Sequence, residues 1–179
     1  PIQAGAAVLS LSEGGNTLLE ANALVIQSGP VTVAFCALNV DAVNDELVRM
    51  TAEQLAKQGS AVTRETLLVS ATGVPNPNYA RLTASPLSNE AMNKAALESA
   101  AGLAAGAVTR AESTRAPARI RLGEIEAPEY QALRDSGSTT ADSTLSALLM
   151  ESPEGEPRAY LVNYAWFPNE MPDDQRVVA

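Results

Sequence analysis

The side chains best placed for chemistry follow an apolar run in the stretch 67–79, LLVSATGVPNPNY. Thr72, Asn76, Asn78 and Tyr79 offer hydrogen-bond donors and acceptors there, and Trp166 and Phe167 offer aromatic surface further along the chain. Together with Gly73 they form a candidate pocket, because a buried strand that runs into a loop of turn residues is where α/β proteins build their sites. The chemistry on offer is binding rather than proton transfer. Between Thr72 and Ser88 there is no His, Cys, Asp, Glu or Lys, and the ionisable groups are Tyr79 and Arg81. The plainer reading of the same residues is that Asn-Pro-Asn makes turns and the aromatics cap a sheet.

The chain contains no histidine. That removes the usual general base at neutral pH, the commonest zinc ligand and every Ser-His or Cys-His dyad. Cys36 lies in an apolar run, where an inert buried thiol is expected, and it has no imidazole to activate it. A Ser-Lys pair would have to use Lys57 or Lys94, which both fall on amphipathic or Ala-rich helical stretches and are expected to face solvent. Glu170, Asp173 and Asp174 form an acidic tail without the spacing of a calcium loop. No catalytic, cofactor-binding or metal-ligating residue is assigned, and no cofactor is expected.

Composition narrows the partners. The net charge of −9 disfavours nucleic acid and anionic membrane, which need a basic face. No run approaches the ~20 apolar residues of a membrane span. With 179 residues, 46% of them hydrophobic, the chain can bury one core of ordinary size, and no linker divides it, so it reads as a single α/β domain over 1–179. Pro1 in place of Met points to processing or trimming, so a removed signal peptide would leave no trace.

The elements that must position the candidate pocket are legible as periodicities. Residues 4–12 alternate small and apolar side chains and read as a strand. Residues 18–27 and 31–39 read as a hairpin turned by Ser28-Gly29-Pro30. Asp41 is the expected N-cap of a helix carrying Val43, Leu47, Met50, Thr51 and Leu55 on one face and stopping at Gly59. The strand from Thr66 follows, read as central and buried. Ser88 is the expected cap of a second, Ala- and Gly-rich helix running to about Arg110, with Gly102 and Gly106 permitting close packing. Residues 115–125 read as a half-exposed strand, 129–144 as a polar loop with a short helical turn, and 145–150 with 159–167 as an antiparallel pair around SPEGEP. Leu67, Leu68, Val69, Val33, Phe35, Leu161 and Val162 are expected to be buried in one continuous sheet system. The fold class is α/β, a layered sandwich with a mixed sheet and two main helices.

In this order of elements the chain resembles the N-terminal domain of the neutral/alkaline, non-lysosomal ceramidase family. The resemblance is carried by AGAAVLSLS, EANALVIQSG with VTVAFCALNVD, DELVRMTAEQLAKQG, ETLLVSAT, the Ala-rich helix, PARIRLGEIEAP and LVNYAWFP. It implies a zinc-dependent amidase fold that cleaves N-acyl sphingosines. The family's signature, Ser-Ala-Thr-His-Thr-His, is kept here as Ser70, Ala71 and Thr72, but its histidines fall on Gly73 and Pro75, and a later one falls on Phe167 before Pro168. Gly, Pro and Phe cannot supply the three or so protein ligands of catalytic zinc.

The resemblance therefore implies a degenerate member: a ceramidase-like domain acting as a structural, self-associating or binding module. The alternative is a ceramidase-like amidohydrolase whose site is altered or completed by a partner. Self-association is the expected partnership, with 4–12 able to complete a neighbour's sheet edge and the Ala and Gly face of the second helix able to meet another subunit. The residues support no small-molecule or lipid ligand in particular. An extracytoplasmic location is open through the resemblance alone.

Overall fold

The computed structural model describes residues 1–12, 18–40, 42–73, 90–128 and 142–165, with the side chains of 90–93 left aside. It is an α/β fold with a mixed five-stranded sheet, a second three-stranded sheet and two helices. Two compact units divide it, Pro1–Pro117 and Ala118–Val177.

In the first unit, β1 (Ile2–Ser12), β2 (Leu18–Ser28) and β3 (Val31–Leu38) form an antiparallel meander, and α1 (Asp45–Lys57) carries the chain to β4 (Leu67–Ala71), parallel to β3. The helix α2 (Glu90–Ser113) follows, and the short β5 (Ala116–Pro117) closes the order β4-β3-β2-β1-β5. The β2–β3 turn is Gly29-Pro30, with Ser28 paired to Val31 and Gly29 at φ 59°. Glycine at the first turn position supplies the positive φ of a type II′ hairpin, and Pro30 then fixes the second.

Both helices cover one face of the sheet. Leu19, Ala21, Ala23 and Val25 of β2, Ala34, Cys36 and Leu38 of β3, and Leu67 of β4 form one core with Leu47 and Leu55 of α1 and with Ala100, Ala101, Ala104, Ala105, Ala107 and Ala111 of α2. The period-2 alternation of the strands puts these residues on one side. Close approach explains the composition of α2: a Cβ added to Gly5 of β1 would lie 2.2 Å from the Ala111 carbonyl oxygen, and one on Gly106 would meet Leu9 Cδ1 at 3.2 Å. A Cβ on Gly102 would meet nothing within 4 Å, so the expected packing role holds for Gly106 and not for Gly102.

Asn44, not Asp41, caps α1. Its Oδ1 accepts the Leu47 amide at 2.9 Å, and Asp45 and Glu46 in the first turn and Lys57 in the last complement the helix dipole. Asp41 lies outside the described residues, as do Ser88, the loop residues 129–141 and the acidic tail. The described helix α2 begins at Glu90 and continues past Arg110 to Ser113.

The strand at 67–71 forms as expected, but it is an edge strand among the described residues and its burial alternates. Leu67 faces the core; Leu68 is 57% exposed. The apolar run suggested a strand covered on both faces, whereas the helices cover one, and Leu68 shares the other with Val8 and Val31, which are also exposed.

The second unit is an antiparallel sheet of β6 (Arg119–Glu126), β7 (Thr144–Glu151) and β8 (Pro157–Asn163), in the order β6-β7-β8. The expected 115–125 strand is divided at Ala118 into β5, which pairs with β1, and β6, which pairs with β7. One continuous sheet system is therefore replaced by two sheets. Leu161 is half-buried and Val162 exposed. Among the described residues no helix is long and apolar enough to cross a membrane.

Three outcomes follow from this packing. Leu55→Ala, at a fully buried position, should cost about 2–5 kcal/mol in chemical denaturation, and Leu68→Ala about 0.5 kcal/mol or less. Gly5→Ala should destabilise the fold strongly despite adding one methyl group, since the opposing atom is helix backbone and cannot swing away. Cys36 is 1% exposed, and burial pushes its thiol up to about 12. It should resist thiol reagents in the native protein at neutral pH and react fully on unfolding.

Candidate functional site

β4 ends in Ser70 and Ala71, and for two residues beyond the strand the chain stays hydrogen-bonded to the end of β3 and the residues just after it. The Thr72 amide donates to the Leu38 carbonyl at 2.9 Å and the Gly73 amide to the Val40 carbonyl at 3.1 Å. Gly73 has φ 76°, the left-handed region that glycine adopts without steric cost. Thr72 is exposed and Gly73 partly buried, so a hydroxyl and a bare stretch of backbone occupy the carboxyl end of the parallel pair. Of the candidate pocket these two residues are described; Asn76, Asn78, Tyr79, Trp166 and Phe167 lie outside the described residues.

A zinc ion does not fit the portion of this site that is described. Gly73 has no side chain, and the Thr72 hydroxyl is a poor ligand beside imidazole or thiolate. Among the described residues no three His, Cys, Asp or Glu side chains converge as a metal site.

Elsewhere, a carboxylate of α2 meets a hydroxyl of the segment that follows α1. Ser60 Oγ donates to Glu112 Oε2 at 2.6 Å, the Ala61 amide donates to Glu112 Oε1 at 3.0 Å, and the Val62 amide donates to Ser60 Oγ at 3.0 Å. The Ser60 oxygen is thus held by the Val62 amide and the other Glu112 oxygen by the Ala61 amide, so both partners sit in a main-chain frame. The arrangement braces the connection after α1 against α2. In the second unit Arg121 Nε donates to the buried Glu151 at 2.9 Å, and Ser152 Oγ accepts the amides of Glu154 and Glu156 at 3.2 Å, shaping the turn before β8.

Sequence reasoning placed Lys57 and Lys94 on helices facing solvent, and both are exposed. It did not bring them together. They line one open groove of about 570 Å³ between α1 and α2, floored by Met50 and Leu97 and flanked by Glu46, Arg49, Glu53 and Glu98. Arg49 bridges Glu46, at 2.6 Å, and Glu53 on its own helix. The hydrogen bond from Arg49 holds the Glu46 carboxyl below its usual range, and Arg49 is raised in turn by Glu46 first and Glu53 second. The signal for this surface was present in the sequence as charges recurring at helical spacing from Glu46 to Lys57.

No protein-family model matches the chain, and no curated protein does. Solved structures do. A neutral ceramidase from Pseudomonas aeruginosa superposes with a TM-score of 0.69 at 15% identity, over 92% of this chain and 31% of that one. A ceramidase complexed with C2 superposes with a TM-score of 0.69 at 14% identity, again over 92% of this chain and 31% of that one. The chain spans about a third of the length of these structures. At such identity the likeness is one of fold, and the chain carries a ceramidase-like domain fold across nearly all of its length.

Proposed function

We propose that the chain is a degenerate ceramidase N-terminal-like domain, one domain over 1–179, that works as a structural or binding module without zinc-dependent amidase chemistry. The observation that carries this reading is the complete absence of histidine in a chain whose fold is shared with ceramidases, a family that the sequence resemblance reads as zinc amidases. Gly73 supports it, standing where the resembled family has its first signature histidine and contributing only backbone. The candidate pocket of Thr72, Gly73, Asn76, Asn78, Tyr79, Trp166 and Phe167 then has hydrogen-bonding and aromatic groups but no general base, which suits holding a ligand or a partner segment rather than hydrolysing an amide.

Elemental analysis of the purified protein should give zinc well below one ion per chain, and added zinc should leave its unfolding temperature unchanged, since a ligand of the native state alone would raise it. Incubation with an N-acyl sphingosine should release no fatty acid above the rate without protein. Stoichiometric zinc together with metal-dependent amide cleavage by this chain would overturn the reading in favour of an amidohydrolase with an altered site.

A further inference from the structure

The exposed stripe of α1 carries Glu46, Arg49, Glu53 and Lys57, so the sign of charge alternates from one turn to the next. At 3.6 residues per turn these positions and Met50 share one face, which runs for about 16 Å along the helix. Glu46, Arg49 and Glu53 are each about half exposed. Lys94, Leu97 and Glu98 of α2 form the opposite wall.

We propose that this face docks a second copy of the same chain, with the two α1 helices antiparallel across a two-fold axis. The charge order is antisymmetric about the middle of the helix. Reversing it therefore sets Glu46 level with the partner's Lys57, and Arg49 within one residue, about 1.5 Å of rise, of the partner's Glu53. Two-fold symmetry makes each of these pairs occur twice. A parallel arrangement would set each charge against its like. Met50 lies near the axis, where the apolar floor of the groove would be closed off.

Local charge favours this surface over others. The chain as a whole carries −9, so two copies repel, but the groove balances three carboxylates against three cations. The ion pairs from Arg49 to Glu46 and Glu53 hold those side chains in place beforehand, which lowers the ordering cost of association. One helix pair is a small interface, so the dimer belongs to the weak class and should be salt-sensitive. The proposal extends the reading of the chain as a module but stands apart from its missing histidines: sizing tests the one, and metal analysis the other.

Sedimentation velocity over a concentration series at low ionic strength should show a reversible monomer–dimer equilibrium that shifts to monomer as salt is added. Glu46→Lys and Lys57→Glu should each abolish the dimer, and the double exchange E46K/K57E should restore it, with circular dichroism confirming the helices in every variant. The exchange R49E/E53R provides a second restoring pair should the first fail to fold. A wild-type chain that stays monomeric at the highest attainable concentration, a dimer that survives either single reversal, or one that tightens with salt would overturn the proposal.

Discussion

The rest of the first unit depends on how closely α2 lies against β1. At Gly5 the helix backbone comes so near that a hydrogen atom is the largest substituent that fits, with the Ala111 carbonyl oxygen 2.2 Å from the position a Cβ would take. Such an approach favours small residues on the helix, and Ala100, Ala101, Ala104, Ala105, Ala107 and Ala111 are all buried between α2 and its neighbours. It also sets where α1 can lie, because α1 packs beside α2 on the same face and shares its core. Glu112, near the end of α2, then meets Ser60 and Ala61 and fixes the approach to β4. The position of the β4 carboxyl end is thus inherited from a backbone contact on the far side of the sheet.

Such an arrangement holds a strand end firmly while making few demands on what side chains stand there. Thr72 and Gly73 are positioned by main-chain hydrogen bonds to Leu38 and Val40, which need a backbone N–H and no particular side chain. A site built on this edge can therefore lose its reactive side chains and keep its shape. The fold likewise makes few demands on sequence, since this chain superposes on a ceramidase structure with a TM-score of 0.69 at 15% identity.

The strands were legible because small, β-branched and apolar residues alternate, and the hairpin was legible because Gly29-Pro30 admits few other readings. Burial was less so. The run Leu67-Leu68-Val69 does not say whether one face or both are covered; the signal for a single covered face was Ser70, which shares the outward side with Leu68. Asp41 and Asn44 are both good caps, and only the tertiary position of the helix start chooses between them. The break at Ala118 had a local mark in Pro117, which has no N–H to donate to a ladder, but the two pairings on either side of it, with β1 and with β7, lie far apart in sequence. Of the candidate site, the strand end and its lack of acid–base groups were readable, whereas the α1–α2 groove needed two helices to be laid side by side.

Cys36 and the missing histidines have a joint consequence for the protein as an electrolyte. With the thiol displaced to about 12, no side chain at its ordinary value exchanges a proton between the carboxylate range and the tyrosine and lysine range, roughly pH 6 to 9. Its side-chain buffering capacity there is close to nil. Side chains at their ordinary values therefore contribute little to any change of its electrophoretic mobility across that interval.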